Sequence, residues 1–227
     1  MLVVNKCVVL LSGGLDSTTV LAVAKSEGYE IIALTFRYGQ RHSDEINKAV
    51  DIAIHYQCLD HKIIDVPLNA YGNSALTDHQ LKVPDEGLDD GIPTTYVPAR
   101  NLIFLALAVG WAEALGVQNI FIGVNAVDYS GYPDCRQVFI DSFQKTANLG
   151  TKYGVNGKGI KIHAPLISLS KADIILKGID LGVDYQMTVS CYQLDNKGKA
   201  CGLCDSCRFR KAGFKQAGIA DPTIYKS

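Results

Sequence analysis

No charge of one sign dominates this chain of 227 residues, in which 22 basic and 23 acidic side chains leave a formal net charge of −1. Without a broad basic surface, extensive contact with a nucleic-acid backbone is disfavoured, and small-molecule chemistry is the better expectation. Long apolar runs are missing too. The longest, Leu102 to Ala112, falls well short of the roughly 18 residues a membrane span needs, and the run from Met1 to Leu11 is too short for a signal peptide. A cytoplasmic protein with no membrane partner is therefore expected. Repeats and low-complexity segments are absent, and His42, His55, His61, His79 and His163 show no ligand spacing, so surface or packed histidines are the default.

What is present is the composition of one main globular domain, with 48% hydrophobic and 20% charged residues. Short β-branched runs at Cys7 to Leu11, Ile31 to Phe36, Lys62 to Val66, Ile120 to Val124 and Lys161 to Leu166 alternate with helical patterns. Each run is nearly all apolar, as strands covered on both faces must be, so an α/β fold is expected: a parallel twisted sheet with helices on both faces. Ser43 suits an N-cap, Ser170 with Asp173 resembles a capping box, and Gly28, Gly116, Gly182 and Gly218 suit helix C-termini. The segment Leu68 to Pro98 breaks the rhythm, being rich in Gly, Asp, Asn, Thr and Pro, and reads as a functional loop or lid.

The first chemical constellation is Leu10-Leu11 running into Ser12-Gly13-Gly14-Leu15-Asp16-Ser17 and on into a helix with Thr18, Thr19 and Val20. A strand, a glycine turn and a helix N-terminus together offer several N–H donors and a partial positive charge to a phosphate, with Ser12 and Ser17 adding hydroxyls. The alternative is a plain tight turn in which Asp16 or Ser17 caps the helix. The Walker lysine that would reach the β and γ phosphates is lacking. Such a site suits pyrophosphate as a leaving group, and so attack at the α-phosphate of ATP.

The second constellation is Cys191, Cys201, Cys204 and Cys207, spaced C-x₉-C-x₂-C-x₂-C. Four thiolates in a reducing compartment suit one closed, structural Zn²⁺ per chain, while the C-x₂-C-x₂-C spacing also occurs around [4Fe–4S] clusters. Residues 1–185 would then form the nucleotide-binding catalytic domain and 186–227 a four-cysteine helical segment packed into the same unit.

The string S-G-G-x-D-S after a first strand resembles the signature of the PP-loop ATP pyrophosphatases, whose fold is Rossmann-like. Tyr96-Val97-Pro98-Ala99-Arg100-Asn101, Gly123 to Arg136, Leu169-Ser170-Lys171-Ala172-Asp173 and the cysteine string together resemble one branch, the 7-cyano-7-deazaguanine synthases of queuosine biosynthesis. The resemblance covers essentially the full length. It implies an ATP-dependent carbon–nitrogen ligase that takes 7-carboxy-7-deazaguanine and ammonia to the nitrile through an adenylated carboxylate and an amide. It also implies a homodimer and no nucleic-acid partner. The family's equation gives ADP and phosphate, whereas a turn that holds pyrophosphate argues for AMP.

On that resemblance, residues 10–20 and Arg100 bind ATP, and Leu34 to Arg37 meet adenine. Ser12, Asp16, Ser17 and Lys171 act in catalysis, with Asp16 orienting Mg²⁺. Lys171 opens a helix, where a cation is unfavourable unless it has a phosphate partner. Asp128 or Asp134 could read the guanine-like edge, Tyr129 or Tyr132 could stack on it, and Arg136 could pair with the carboxylate; a solvated loop is the alternative. A tRNA-thiolating or lysidine-type adenylating enzyme is the rival function, and it would call on a reactive cysteine such as Cys135.

Overall fold

A computed structural model describes residues 5–41, 44–84, 91–127 and 131–226. Its centre is a sheet of five parallel strands: β1 (Lys6–Leu10), β2 (Glu30–Arg37), β3 (Asp60–Asp65), β4 (Asn119–Phe121) and β5 (Lys161–His163). All five expected strands form, and their spatial order is β3-β2-β1-β4-β5. β4 and β5 are shorter than their apolar runs, because after Phe121 and His163 the backbone turns out of the ladder, leaving one further bond from Ile122 N to His163 O (2.9 Å).

The strands are apolar throughout because both faces are covered. Val8, Leu10, Ile32, Leu34 and Ile120 point into a core closed by helices α3 (Arg100–Leu115) and α4 (Gln137–Gly150). Their neighbours Cys7, Val9, Leu11, Ile31 and Phe121 point the other way. There they meet α1 (Leu15–Ser26), α2 (Asp44–His55), α6 (Lys171–Asp180) and α7 (Asp205–Ala217), while the one-turn α5 (Lys152–Val155) follows α4. This in–out alternation is the strand's period of two, satisfied by apolar side chains on both sides. The order reverses between β1 and β4, and the crevice beyond the carboxyl ends of strands at such a reversal is where open α/β sheets bind ligands.

The expected helix signals act as read. Ser170 Oγ accepts from Asp173 N while Asp173 accepts from Ser170 N, a complete capping box, and Gly116 and Gly218 are left-handed C-caps. Ser43 lies outside the described residues. The described part of the segment 68–98 is a fastened wall. A 3₁₀ turn (Leu68–Tyr71) opens it, and Arg41 donates to the carbonyls of Ala75 (2.6 Å), Asp78 (3.1 Å) and Leu81. Ala75 and Val83 are buried against Cys191, Cys204 and Cys207. No helix among the described residues is long and apolar enough to cross a membrane.

Candidate active site

The turn after β1 is fixed before any ligand arrives. Gly13 adopts φ +80° and Gly14 φ −85°, and Val189 N donates to Gly13 O (3.0 Å). Ser17 Oγ accepts from Ser12 N (3.1 Å) and donates to Gly14 O (3.1 Å), with Ser12 Oγ 3.0 Å away. Gly14 is the N-cap of α1, and no side chain caps that end. The first-turn amides therefore face the crevice as anion donors, which is not the plain capped helix that Asp16 or Ser17 could have made.

Opposite the turn, Lys171 reaches in from the head of α6. Its Nζ grips both oxygens of Asp16, at 2.7 and 2.9 Å, and its side chain is only 9% exposed. A cation at a helix N-terminus works against the dipole, and the Asp16 carboxylate offsets that. Two residues from distant parts of the chain thus stand at the mouth of the same turn.

One cavity runs from this turn along the carboxyl ends of β1, β2 and β4. Leu34, Thr35 and Phe36 form its β2 side, while Arg37 points out and pairs with Asp65 (2.6 Å). Arg100, Asn101 and Phe104 of α3 form the far side, with Tyr38, Tyr132, Cys135 and Asn125 around them. Val189, Ser190, Tyr192, Ser206 and Arg210 close it, so the C-terminal segment supplies part of the wall. Arg210 is 2% exposed and ties that segment down by donating to Tyr185 O (3.0 Å), Thr188 Oγ1 (2.7 Å) and Asp221 Oδ1 (3.0 Å).

The cavity is also a poor place for free charge on its own hydroxyls and thiols. Burial raises the Tyr132 phenol, which shares a hydrogen bond with Thr95 (2.9 Å), and pushes the Cys135 thiol up to about 12, with Asp134 adding to the effect. Cys135 is thus held as a thiol, which does not fit the ionised nucleophile that thiolation chemistry would use.

The four cysteines assemble as their spacing suggested. The sulfurs of Cys191, Cys201, Cys204 and Cys207 all lie within 4.8 Å of one another, and those of Cys201 and Cys207 are 3.9 Å apart. Backbone amides of Gln193 and Cys201 donate to Cys191 Sγ (both 3.2 Å), and those of Leu203 and Cys204 to Cys201 Sγ (both 3.4 Å). Amide donors favour the thiolate form of these sulfurs, and four sulfurs this close together could hold one metal ion. All seven cysteines are free of disulfides.

With this geometry in view, comparison with known proteins is decisive. The family model for the queuosine biosynthesis protein QueC matches residues 6–218. The chain belongs to the QueC family. A 7-cyano-7-deazaguanine synthase of Stutzerimonas stutzeri is 60% identical over 97% of this chain and 98% of its own, and that of Cupriavidus necator 56% identical over 98% of each. Among solved structures, the fold is similar to a 4-thiouridine synthetase crystallised with RNA and ATP (TM-score 0.52, 20% identity, 97% of this chain and 47% of that one). It is also similar to an NMN synthetase of Francisella tularensis (TM-score 0.51, 17% identity, 96% and 78%). This QueC family member therefore shares its fold with these two proteins, the first of which was solved with bound ATP.

Measured against the sequence, Leu10, Leu11, Ser12, Gly14, Leu15, Asp16, Ser17, Arg100, Tyr132 and Lys171 meet on the cavity wall. Gly13 turns away toward α2, and Thr18, Thr19 and Val20 are buried along α1, with Thr19 bonded to Tyr185 (2.8 Å). Asp134 is buried off the cavity, its carboxylate accepting from Asn101 N (2.9 Å), and Arg136 is exposed with Nε on Pro133 O (3.1 Å). Asp128 and Tyr129 lie outside the described residues. Tyr38, Tyr192, Ser190 and Arg210 were not singled out in the sequence. Tyr38 stands just past a strand end and Tyr192 beside a metal-type cysteine, and both positions could have flagged them; Arg210 carried no such signal.

Proposed function

We infer that this chain is a 7-cyano-7-deazaguanine synthase. It uses ATP to join ammonia to 7-carboxy-7-deazaguanine and carries the product on to the nitrile. The observation that bears most weight is one continuous cavity shared by the phosphate-type turn, the Lys171–Asp16 pair and a wall of phenols and a guanidinium, within a member of the QueC family. Seated on the turn, the pyrophosphate of ATP would accept from the α1 amides and the Ser12 and Ser17 hydroxyls. Lys171 and Asp16 would exchange each other for better partners, phosphate oxygens for the ammonium and Mg²⁺ for the carboxylate. Mg²⁺, once bound, would neutralise developing phosphate charge.

The substrate carboxylate then attacks the α-phosphorus and pyrophosphate departs. Ammonia displaces AMP to give the amide. The amide oxygen then attacks the α-phosphorus of a second ATP, pyrophosphate departs, and that oxygen leaves as part of AMP while the nitrogen gives up its two protons, leaving the nitrile. No protein nucleophile is required, and catalysis is positioning with electrostatic stabilisation. The product of ATP cleavage is AMP. For the cysteine cluster we favour a single structural Zn²⁺. Thiolates about 2.3 Å from one ion sit roughly 3.8 Å from each other, close to the Cys201–Cys207 spacing, whereas an iron–sulfur cube holds each thiolate on its own corner and farther apart. Residues 1–185 form the catalytic domain and 186–227 a metal-braced segment of the same unit. We place the enzyme in the cytoplasm, as a homodimer acting on small molecules without nucleic acid.

The test is incubation of the pure protein with ATP, Mg²⁺, ammonium and 7-carboxy-7-deazaguanine, followed by mass spectrometry of base and nucleotide products. Nitrile with AMP is expected. Absence of nitrile defeats the substrate assignment, and ADP as the sole nucleotide product defeats the adenylation step.

A further inference from the structure

Arg100 brings a positive charge into the cavity, and none of the ion pairs found among the described residues includes it: these are Arg37–Asp65, Lys171–Asp16, Arg208–Asp205 and Arg210–Asp221. Its guanidinium lies 5.8 Å from the centre of the Tyr38 ring, with which it shares a hydrogen bond. The titratable groups that bear on it most are the uncharged Tyr38, Tyr132, Cys135 and Tyr192. All four line the same cavity, and the Glu45 carboxylate lines it too, beside Tyr38. Arg100 is moreover the first residue of α3, the end of a helix where a cation is least favoured.

The chain holds it there at some strain. Ala99, the residue before it, sits at φ +54°, a left-handed conformation uncommon outside glycine, and is kept there by Tyr96 Oη accepting from Ala99 N (3.0 Å). On the other side, Asp134 fixes Asn101 by accepting from its amide (2.9 Å). A cation placed against a helix dipole, among apolar rings, on a clamped and strained turn is a receptor awaiting an anion.

We propose that Arg100 is the receptor for the carboxylate of the acid substrate, and that through it the enzyme distinguishes the anionic acid from its neutral products. This rests on the synthase reading above. The triphosphate already has its own donors in the turn, the α1 amides and Lys171, while Arg100 stands on the opposite wall and bonds to none of residues 12–17. Arg136, the carboxylate candidate from sequence, faces solvent, so the role passes to Arg100, which the sequence resemblance had given to ATP. A planar fork suits a carboxylate, grips one edge of it and leaves lone pairs on the other for attack on the α-phosphorus. Once the amide has formed the anion is gone, and Arg100 no longer holds the ligand.

The test compares wild type with Arg100→Met and Arg100→Lys, using the acid and, separately, the corresponding carboxamide as substrate. With the acid, Arg100→Met should raise KM roughly 10- to 100-fold, as expected for a lost charge-assisted pair. KM for ATP and turnover of the carboxamide should stay within about threefold of wild type, and Arg100→Lys should fall between. A rise in KM for ATP with both substrates would mean that the anion is a phosphate, and unchanged kinetics with the acid would remove Arg100 from recognition altogether; either overturns the proposal. Calorimetry on the wild type without ATP decides independently of whether the variants fold: the acid should bind at least tenfold tighter than the nitrile, and equal affinities overturn it. If wild type makes no nitrile from either substrate, the synthase reading fails and the assignment of Arg100, which rests on it, falls with it; nitrile formation with acid kinetics unchanged in Arg100→Met overturns the assignment of Arg100 alone.

Discussion

Alanine at Gly13 and alanine at Gly14 should damage this protein in different ways, although the two glycines are adjacent in one turn. At Gly13 a Cβ would lie 2.3 Å from Glu45 O, 2.9 Å from Ala49 N and 3.1 Å from Lys48 Cβ, so the obstacle is mostly the backbone of α2. The residue is also at φ +80°, which costs an L-residue about 1–2 kcal/mol. Moving a packed helix aside adds about 1–3 kcal/mol. The sum, roughly 2–5 kcal/mol, corresponds to a fall in Tm on the order of 10 °C for a chain of this size. At Gly14 the backbone is extended (φ −85°), and a Cβ would rest 3.4 Å from Ser12 Oγ and 3.4 Å from Val189 O, ordinary contacts. Exchange of an N-cap glycine for alanine costs about 1 kcal/mol or less, a shift of a few degrees at most. The new methyl would instead occupy the ligand side of the turn, so ATP affinity should fall at least about tenfold. Differential scanning calorimetry of both variants with ATP titrations of the folded one separates the effects. Equal losses of Tm would refute the claim that α2 dictates Gly13, and normal ATP binding by Gly14→Ala would refute the placement of the phosphates.

Other perturbations follow from the same geometry. Cys207→Ser should reduce bound zinc from about one per chain to near zero and, because Val189, Ser190, Tyr192, Ser206 and Arg210 wall the cavity, should abolish ATP turnover; retained turnover in a metal-free variant would contradict this. His163 stacks on Phe121 (4.2 Å between ring centres), and burial, assisted by Lys161, pushes its pKa down to about 4. A depressed histidine is neutral when folded but takes up a proton when unfolded, so the stability it contributes is complete above about pH 6.5 and is lost as the pH falls toward 4. Between pH 6.5 and 5 the loss should be on the order of 1 kcal/mol, because solvent screens this half-buried ring, seen as a drop in Tm that a His163→Phe variant largely escapes.

The sequence displayed most of the fold because its signals were local. Doubly covered strands leave unbroken apolar runs, and Ser170 with Asp173 needs only three residues to announce a helix. The phosphate turn and the four cysteines were legible for the same reason: each is a short string whose members act on one ligand. The opposite wall was legible only in part, through Arg100 and Tyr132. Tyr38, Arg100, Tyr132 and Tyr192 come from four separate stretches, and nothing in their spacing says that the fold brings them together. Asp134 illustrates the converse, for a carboxylate in a suggestive loop turned out to anchor Asn101 at the head of α3. Which polar residue in such a loop faces a ligand is decided by long-range packing.

Helix α7 presses so closely on α6 that a Cβ on Gly213 would come within 2.4 Å of Lys171 Cγ. The stem of the lysine that grips Asp16 is thus wedged by the same helix that carries Cys207. On the single-zinc reading proposed above, the metal would be an interlock. A chain that had not captured the ion would leave α7 unbraced, and with it the lysine and the wall around Arg210. On that reading a metal-starved molecule would consume no ATP, and a cell short of the ion would carry idle copies, with no futile hydrolysis among them.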